Sequence, residues 1–102
     1  MAYTILIRIE WDAQKSLQNE RKHGISLEHA AELFVSGAEY LEIFDRNHSQ
    51  SEDRFIAIGP TERGVLVVVW TDRDEEVVRI ISARPASSQE RTLYHSWMEK
   101  YL

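Results

Sequence analysis

Six consecutive apolar residues, positions 65–70, place the strongest constraint on the fold of this chain. The segment reads Val-Leu-Val-Val-Val-Trp and lacks the alternation of apolar and polar positions that marks a half-buried strand. Its β-branched residues favour an extended conformation, and an unbroken apolar run is typical of a strand that is covered on both faces. The sequence therefore predicts residues 65–71 as the central strand of a sheet.

Further strand-like segments lie on both sides of this run. They span residues 41–44, 54–59 and 77–84, and the last three strands are joined by the short connections 60–64 and 72–76. Connections of that length suit β-hairpins, so we expect an antiparallel sheet.

The first quarter of the chain predicts a strand followed by a helix. Ile5, Ile7 and Ile9 alternate with Leu6, Arg8 and Glu10, which is the period of a strand. Asp12 can then cap a helix that runs to about Lys22, and Gly24 stands where a helix commonly ends.

Two more helices complete the expected architecture. Ser26 can cap a helix whose apolar residues recur at helical spacing until Gly37. Ser87 and Glu90 have the spacing of a capping box at the start of a terminal helix. We therefore predict that residues 1–102 form a single compact α+β domain with the order β-α-α-β-β-β-β-α.

The composition excludes several classes of function. The 102 residues include no cysteine, so disulfides, a thiolate nucleophile and zinc–thiolate sites are ruled out. The opening segment is too short and too charged for a secretory signal or a membrane span, so we expect a cytoplasmic protein without membrane association. The net charge of −5 argues against a surface that attracts nucleic acid everywhere.

The distribution of charge is more informative than its sum. Nine of the 17 acidic residues lie within 39–53 and 72–76, whereas residues 79–94 contain three arginines and one acid. This pattern is compatible with a local positive patch and with an acidic face that docks a basic partner.

Two arginines, Arg79 and Arg84, interrupt the apolar strand 77–84. Each either forms a structural ion pair, for example with Glu10 or Glu90, or presents a guanidinium group to an anion such as phosphate. Their odd separation predicts that they point to opposite faces of the sheet unless a bulge intervenes. Arg84 is the better placed for an anion because a helix N-terminus follows it.

Three segments, in this order, resemble the BrnT family of toxins from bacterial type II toxin–antitoxin modules. They are Trp11 to Ile25, with Lys-His-Gly-Ile at its end, Arg54 to Arg73, and Arg79 to Tyr94. The resemblance implies a RelE-like fold and an RNA-cleaving toxin. It also implies a BrnA-like antitoxin that carries the DNA-binding function, so that the chain would meet DNA only indirectly, and it allows a higher-order toxin–antitoxin oligomer.

Metal-independent RNA cleavage uses the ribose 2′-hydroxyl as the nucleophile. The protein must supply a base, an acid and cations for the charge that develops on phosphorus. We see no carboxylate cluster with two-metal spacing, so we predict no metal and no cofactor. The predicted catalytic residues are His23, Arg84, Glu90 and Tyr94, and the predicted substrate-binding residues are Lys15, Lys22, Arg73, Arg79 and Arg91.

Each assignment has a structural alternative. Lys22 and His23 also suit the negative end of a helix dipole. Tyr94 belongs to an apolar stripe, so its ring either stacks on a base or packs in the core. Lys15, Asn19 and Lys22 share one helix face, which either follows a phosphate backbone or is simply solvated.

These observations together predict a metal-independent endoribonuclease toxin that inhibits translation and growth. The alternative is a non-catalytic module that docks an antitoxin or a transcriptional regulator. RNA cleavage by the isolated chain distinguishes the two.

Overall fold

The computed structural model describes residues 8–48, 50–73 and 76–101. Five strands form one sheet with the order β1-β5-β4-β3-β2. The strands are β1 (Arg8–Trp11), β2 (Leu41–Phe44), β3 (Arg54–Thr61), β4 (Gly64–Arg73) and β5 (Val77–Pro85). The helices are α1 (Ala13–His23), α2 (Leu27–Ala30), α3 (Glu32–Val35) and α4 (Ser88–Tyr101), with a 3₁₀ turn at Arg46–His48.

The sheet is mixed, which corrects the antiparallel prediction. Strands β2 to β5 form the expected antiparallel meander. Strand β1, however, pairs parallel with β5, with Arg8 opposite Val77 and Trp11 opposite Ile80. A short connection forces two strands to run antiparallel only when it joins them directly. No such turn joins β1 to β5, so the direction of β1 could not be predicted in this way. The first residues of the predicted opening strand, 4–7, lie outside the described residues.

The first helix begins and ends where its capping residues predict. The Asp12 side chain accepts a hydrogen bond from the Lys15 backbone N–H at 3.0 Å. Gly24 has φ of 76°, the left-handed conformation in which a side chain would be strained. Both predictions of helix ends are therefore confirmed.

The predicted second helix is divided into α2 and α3. Ser26 caps α2 as expected, by accepting from the His29 N–H at 3.0 Å. At Ala31 the backbone bonds tighten, since its N–H reaches both the Leu27 and the Glu28 carbonyls. This short break between the two helices keeps Ala30 and Leu33 both buried against the sheet.

Apolar side chains cover the central strand on both faces, as its sequence predicts. On one face α2 and α3 pack on Leu66 and Val68 of β4, and on the other face α4 places Tyr94 near Val67. Full burial of such side chains contributes about 1.5–3 kcal/mol each. The first face holds the larger part of the core.

A bulge in β5 determines where the two arginines point. Val69 pairs with Ser82 and Trp70 with Ile80, so Ile81 has no partner in β4. An extra residue reverses the alternation of the strand beyond it. Arg79 lies opposite Thr71 and Arg84 opposite Val67, two β4 residues that share a face. The arginines therefore lie on one face of the sheet, the exception that the sequence analysis allowed for.

Candidate functional site

A groove of about 370 Å³ lies between α1 and the bulged segment of β5. We call it the basic groove, because among the described residues that line it three side chains are basic and none carries a carboxylate. The lining residues are Lys15, Gln18, Asn19, Lys22, His23, Ile81 and Ser82. On a chain with a net charge of −5, this is a local region suited to anions.

One buried side chain, Asn19, holds the two walls of the groove together. Its amide donates to the Ala83 carbonyl at 2.6 Å and to the Ile25 carbonyl at 2.8 Å. Its carbonyl oxygen accepts from the Ala83 N–H at 3.2 Å. Strand β1 pairs with β5 only up to Ile80. At Ala83, farther along the same edge of β5, the Asn19 side chain bonds the backbone groups in place of a neighbouring strand.

Arg84 is not among the residues that line the groove, but it lies on the same face of β5 as Ser82. Two residues along a strand span about 7 Å. Its guanidinium group donates to both carboxylate oxygens of Glu90, at 2.7 and 2.8 Å. Glu90 also accepts from the Ser87 N–H at 2.8 Å, which forms the predicted capping box. These bonds, above all the one from Arg84, lower the pKa of Glu90 to about 2. The Arg84 side chain is still 44% exposed, so it is held in place without being enclosed.

Arg79 and Arg73 share one carboxylate on this face. Glu10 accepts from Arg79 at 3.0 Å and from Arg73 at 2.7 Å. The hydrogen bond from Arg79, together with the nearby charge of Arg73, lowers the pKa of Glu10. The ion pair anticipated between Arg79 and Glu10 is thus present, and the Arg73 side chain remains 57% exposed.

Tyr94 and Arg91 lie on α4 and do not line the basic groove. The Tyr94 side chain is 4% exposed and its hydroxyl donates to the Glu39 carbonyl at 2.9 Å. Burial raises the pKa of this phenol. A ring enclosed in this way has no open face for a base, so the structure favours core packing of Tyr94 over stacking. Arg91 donates to the Ala86 carbonyl at 2.9 Å, at the start of the helix.

Sequence reasoning missed three residues of this region. Gln18 and Ser82 line the groove, and Arg54 lies on the same face as Arg79, since both are opposite Thr71 in the ladder. Strand register is the signal that reveals Arg54. For Ser82 the signal is the bulge, which only the three-dimensional pairing exposes.

The described residues contain neither a metal-binding cluster nor a membrane-spanning helix. Within residues 8–48, 50–73 and 76–101, no group of three or more His, Asp or Glu side chains is arranged to hold a metal ion. None of the described helices is long and apolar enough to cross a membrane.

Comparison with known proteins identifies the family. The model of the ribonuclease toxin BrnT of type II toxin–antitoxin systems matches residues 11–90, well over half of the chain. The chain belongs to the BrnT family. It is accordingly a ribonuclease toxin of a type II toxin–antitoxin system, with RNA as its target and an antitoxin as its partner.

A solved structure agrees with this assignment. The chain is similar to the ribonuclease toxin BrnT of Brucella abortus, known from a 1.1 Å crystal structure. The two are 27% identical with a TM-score of 0.59, over 80% of this chain and 99% of that one. Among curated protein sequences, none matches the chain significantly. The family match includes every residue of the basic groove, together with Arg73, Arg79, Arg84 and Glu90, and it ends before Arg91 and Tyr94.

Proposed function

We propose that this BrnT toxin cleaves RNA in the basic groove without a metal ion, and that this cleavage inhibits translation. The observation that carries the proposal is the groove itself, where Lys15, Lys22 and His23 face Ser82 and none of the described lining residues is acidic. Arg84 and Arg79 extend the cationic region along the same face of β5.

The reaction needs two proton transfers. A base removes the proton of the ribose 2′-hydroxyl as its oxygen attacks the adjacent phosphorus, and an acid protonates the departing 5′-oxygen. The P–O5′ bond breaks, leaving a 2′,3′-cyclic phosphate and a 5′-hydroxyl end. Histidine is the side chain that most often performs such transfers. We assign one of the two to His23, because it lines the groove.

Cations stabilise the negative charge that builds up on the phosphoryl oxygens. Lys15 and Lys22 are exposed on the α1 wall of the groove and act on this charge. Glu90 acts as a positioning residue, because its two bonds hold the Arg84 guanidinium group in one orientation while 44% of that side chain stays open to a phosphate. Arg73 and Arg79, oriented by Glu10, contact the flanking phosphates.

A BrnA-like antitoxin neutralises the toxin in this proposal. It carries the DNA-binding function, so the toxin reaches DNA only within the complex, and toxin and antitoxin assemble into a higher-order oligomer. The family supports an antitoxin partner of a type II system.

The test is to incubate the purified chain with a structured RNA in EDTA and to analyse the ends of the products. The control for His23→Gln is His95→Gln, because His95 is an exposed histidine on α4. The control for Lys22→Ala is Arg21→Ala, because Arg21 is the adjacent residue and does not line the groove. We expect His23→Gln to slow cleavage by about 100-fold or more. Lys22→Ala weakens RNA binding, and both control variants cleave like the parent.

Several outcomes contradict the proposal. Cleavage that requires added Mg²⁺ excludes metal independence, and equal activity of the two histidine variants places the chemistry elsewhere. An absence of cleavage both with and without ribosomes favours a non-catalytic module that acts by binding.

A further inference from the structure

The sheet edge farthest from the basic groove has no pairing partner among the residues that the structure describes. Strand β2 pairs with β3 on one side and is the last strand of the sheet. The Asp45 N–H donates to the Arg54 carbonyl at 2.8 Å, so residues 41, 43 and 45 direct their backbone groups toward β3. Glu42 and Phe44 therefore direct their N–H and C=O groups outward. An edge of this kind is a template for another strand.

The side chains along this edge are apolar and open. Ile43 is 37% exposed and Phe44 48% exposed, on opposite faces of the strand. The Phe44 ring lies beside Phe55, with ring centroids 5.6 Å apart, which extends the apolar surface into the sheet. Short strands, charged side chains and proline protect the free edges of natural sheets. Strand β2 is short and carries Glu42, but it has neither lysine nor proline.

Carboxylates surround the same edge. Glu42 projects from the strand itself, Glu39 precedes it, and Glu52 and Asp53 lie at its far end, beside the start of β3. All four residues are exposed. Of the nearby basic side chains in the described chain, Arg54 pairs with Glu52 at 3.7 Å and Arg46 is exposed, so carboxylates still outnumber arginines at this edge. A second copy of this chain pairing antiparallel at the edge would bring carboxylates of the same sign together, which is unfavourable. An incoming strand with basic side chains gains from the same field.

We propose that the β2 edge is the docking site for an extended, basic segment of the antitoxin. Such a segment adds a sixth strand, pairs with the outward groups of Glu42 and Phe44, and places alternate apolar side chains against Ile43 or Phe44. The proposal rests on the antitoxin partner of the proposed function. It also locates that partner on the edge of the sheet opposite to β1 and β5, away from the RNA-cleaving groove.

The probe is a ten-residue peptide of alternating lysine and valine, added to the ¹⁵N-labelled chain, with an alternating glutamate and valine peptide as its control. We expect the lysine peptide to slow amide hydrogen exchange at Glu42 and Phe44 by roughly tenfold, while the glutamate peptide has no effect. Salt at about 1 M, where the screening length falls to about 3 Å, reverses the protection.

Two variants at one position separate backbone pairing from charge. Glu42→Thr removes the carboxylate and keeps the outward N–H, whereas Glu42→Pro removes that N–H and leaves the bonds of residues 41 and 43 to β3 intact. We expect partial loss of peptide binding in the first variant and complete loss in the second. RNA cleavage stays unchanged in both, which shows that they are folded and separates this proposal from the cleavage mechanism.

Protection that spares Glu42 and Phe44 overturns the proposal, as does equal protection by both peptides. Protection that grows with protein concentration in the absence of peptide identifies a second copy as the occupant and overturns it as well. If the parent chain does not cleave RNA but the lysine peptide still slows amide exchange at Glu42 and Phe44, only the proposed RNA chemistry is contradicted.

Discussion

Replacement of Asn19 by alanine tests how α1 is held against β5. The side chain is 8% exposed and forms three hydrogen bonds to the main chain, two with Ala83 and one with Ile25. Truncation leaves the Ala83 N–H, the Ala83 carbonyl and the Ile25 carbonyl without this partner. Both walls of the basic groove depend on these contacts, so the variant probes the stability of the protein and of its site together.

The magnitude follows from the cost of unsatisfied groups. Each buried donor or acceptor left unpaired costs about 1–3 kcal/mol, and water entering the open groove recovers part of that cost. We expect a loss of about 3 kcal/mol in the free energy of unfolding. In a domain of this size such a loss lowers Tm by roughly 10–20 °C.

Asn19→Asp provides a sharper version of the test. A carboxylate keeps the acceptor for the Ala83 N–H, but it places a negative charge against the carbonyls of Ala83 and Ile25. Burial and these carbonyls raise the pKa of the new carboxyl in the folded state above its unfolded value. The folded protein then favours the protonated form, so the deficit in stability relative to the parent shrinks as the pH falls.

Urea denaturation at pH 7 and near pH 4 measures both variants, with Gln18→Ala as the matched control on the same helix. The control removes an exposed side chain and should change stability by less than about 0.5 kcal/mol. A loss below about 1 kcal/mol in Asn19→Ala, or an aspartate variant whose deficit is independent of pH, refutes the reasoning.

Two further predictions concern other contacts. Arg84 lowers the pKa of Glu90 from 4.5 to about 2, so Glu90 stabilises the fold above pH 4.5 and loses that effect as the pH falls toward 2. Glu90→Gln should therefore lower the free energy of unfolding by roughly 1–2 kcal/mol at pH 7, after allowance for solvent screening, and by nearly nothing at pH 2. An equal difference in urea midpoint between variant and parent at both pH values contradicts this prediction. A Cβ at Gly59 would lie 2.5 Å from Leu33 Cδ1 and 2.7 Å from Tyr40 Cβ. Gly59→Ala should therefore lower the free energy of unfolding by about 1–3 kcal/mol, because the core is overpacked. An unchanged melting temperature in calorimetry disproves this prediction.

The candidate site was accessible to sequence reasoning only in part. Lys15 and Lys22 could be selected because they share one face of α1, and Lys22 and His23 because they belong to a motif that resembles the BrnT family. The structure brings all three to one groove. Tyr94 could not be assigned between core and surface, since a helical stripe of apolar residues does not reveal which of its members meets the sheet. The structure buries Tyr94 and leaves the adjacent Leu93 48% exposed.

Local chemistry in the sequence by itself determined the ends of α1, the capping box at Glu90 and the strands of the meander. In each case the deciding groups are neighbours in the chain: Asp12 caps an N–H three residues away, Gly24 adopts a positive φ, and short connections close hairpins. Such interactions need little chain closure, so they depend weakly on the rest of the molecule.

Tertiary structure alone decided the parallel pairing of β1, the bulge at Ile81 and the role of Asn19, whose partner Ala83 is 64 residues away. Pairings over such separations depend on the free energy of the whole sheet, in which one extra residue reverses the face of every side chain beyond it. That reversal places Arg79 and Arg84 on the same face, and no local pattern in the sequence specifies it.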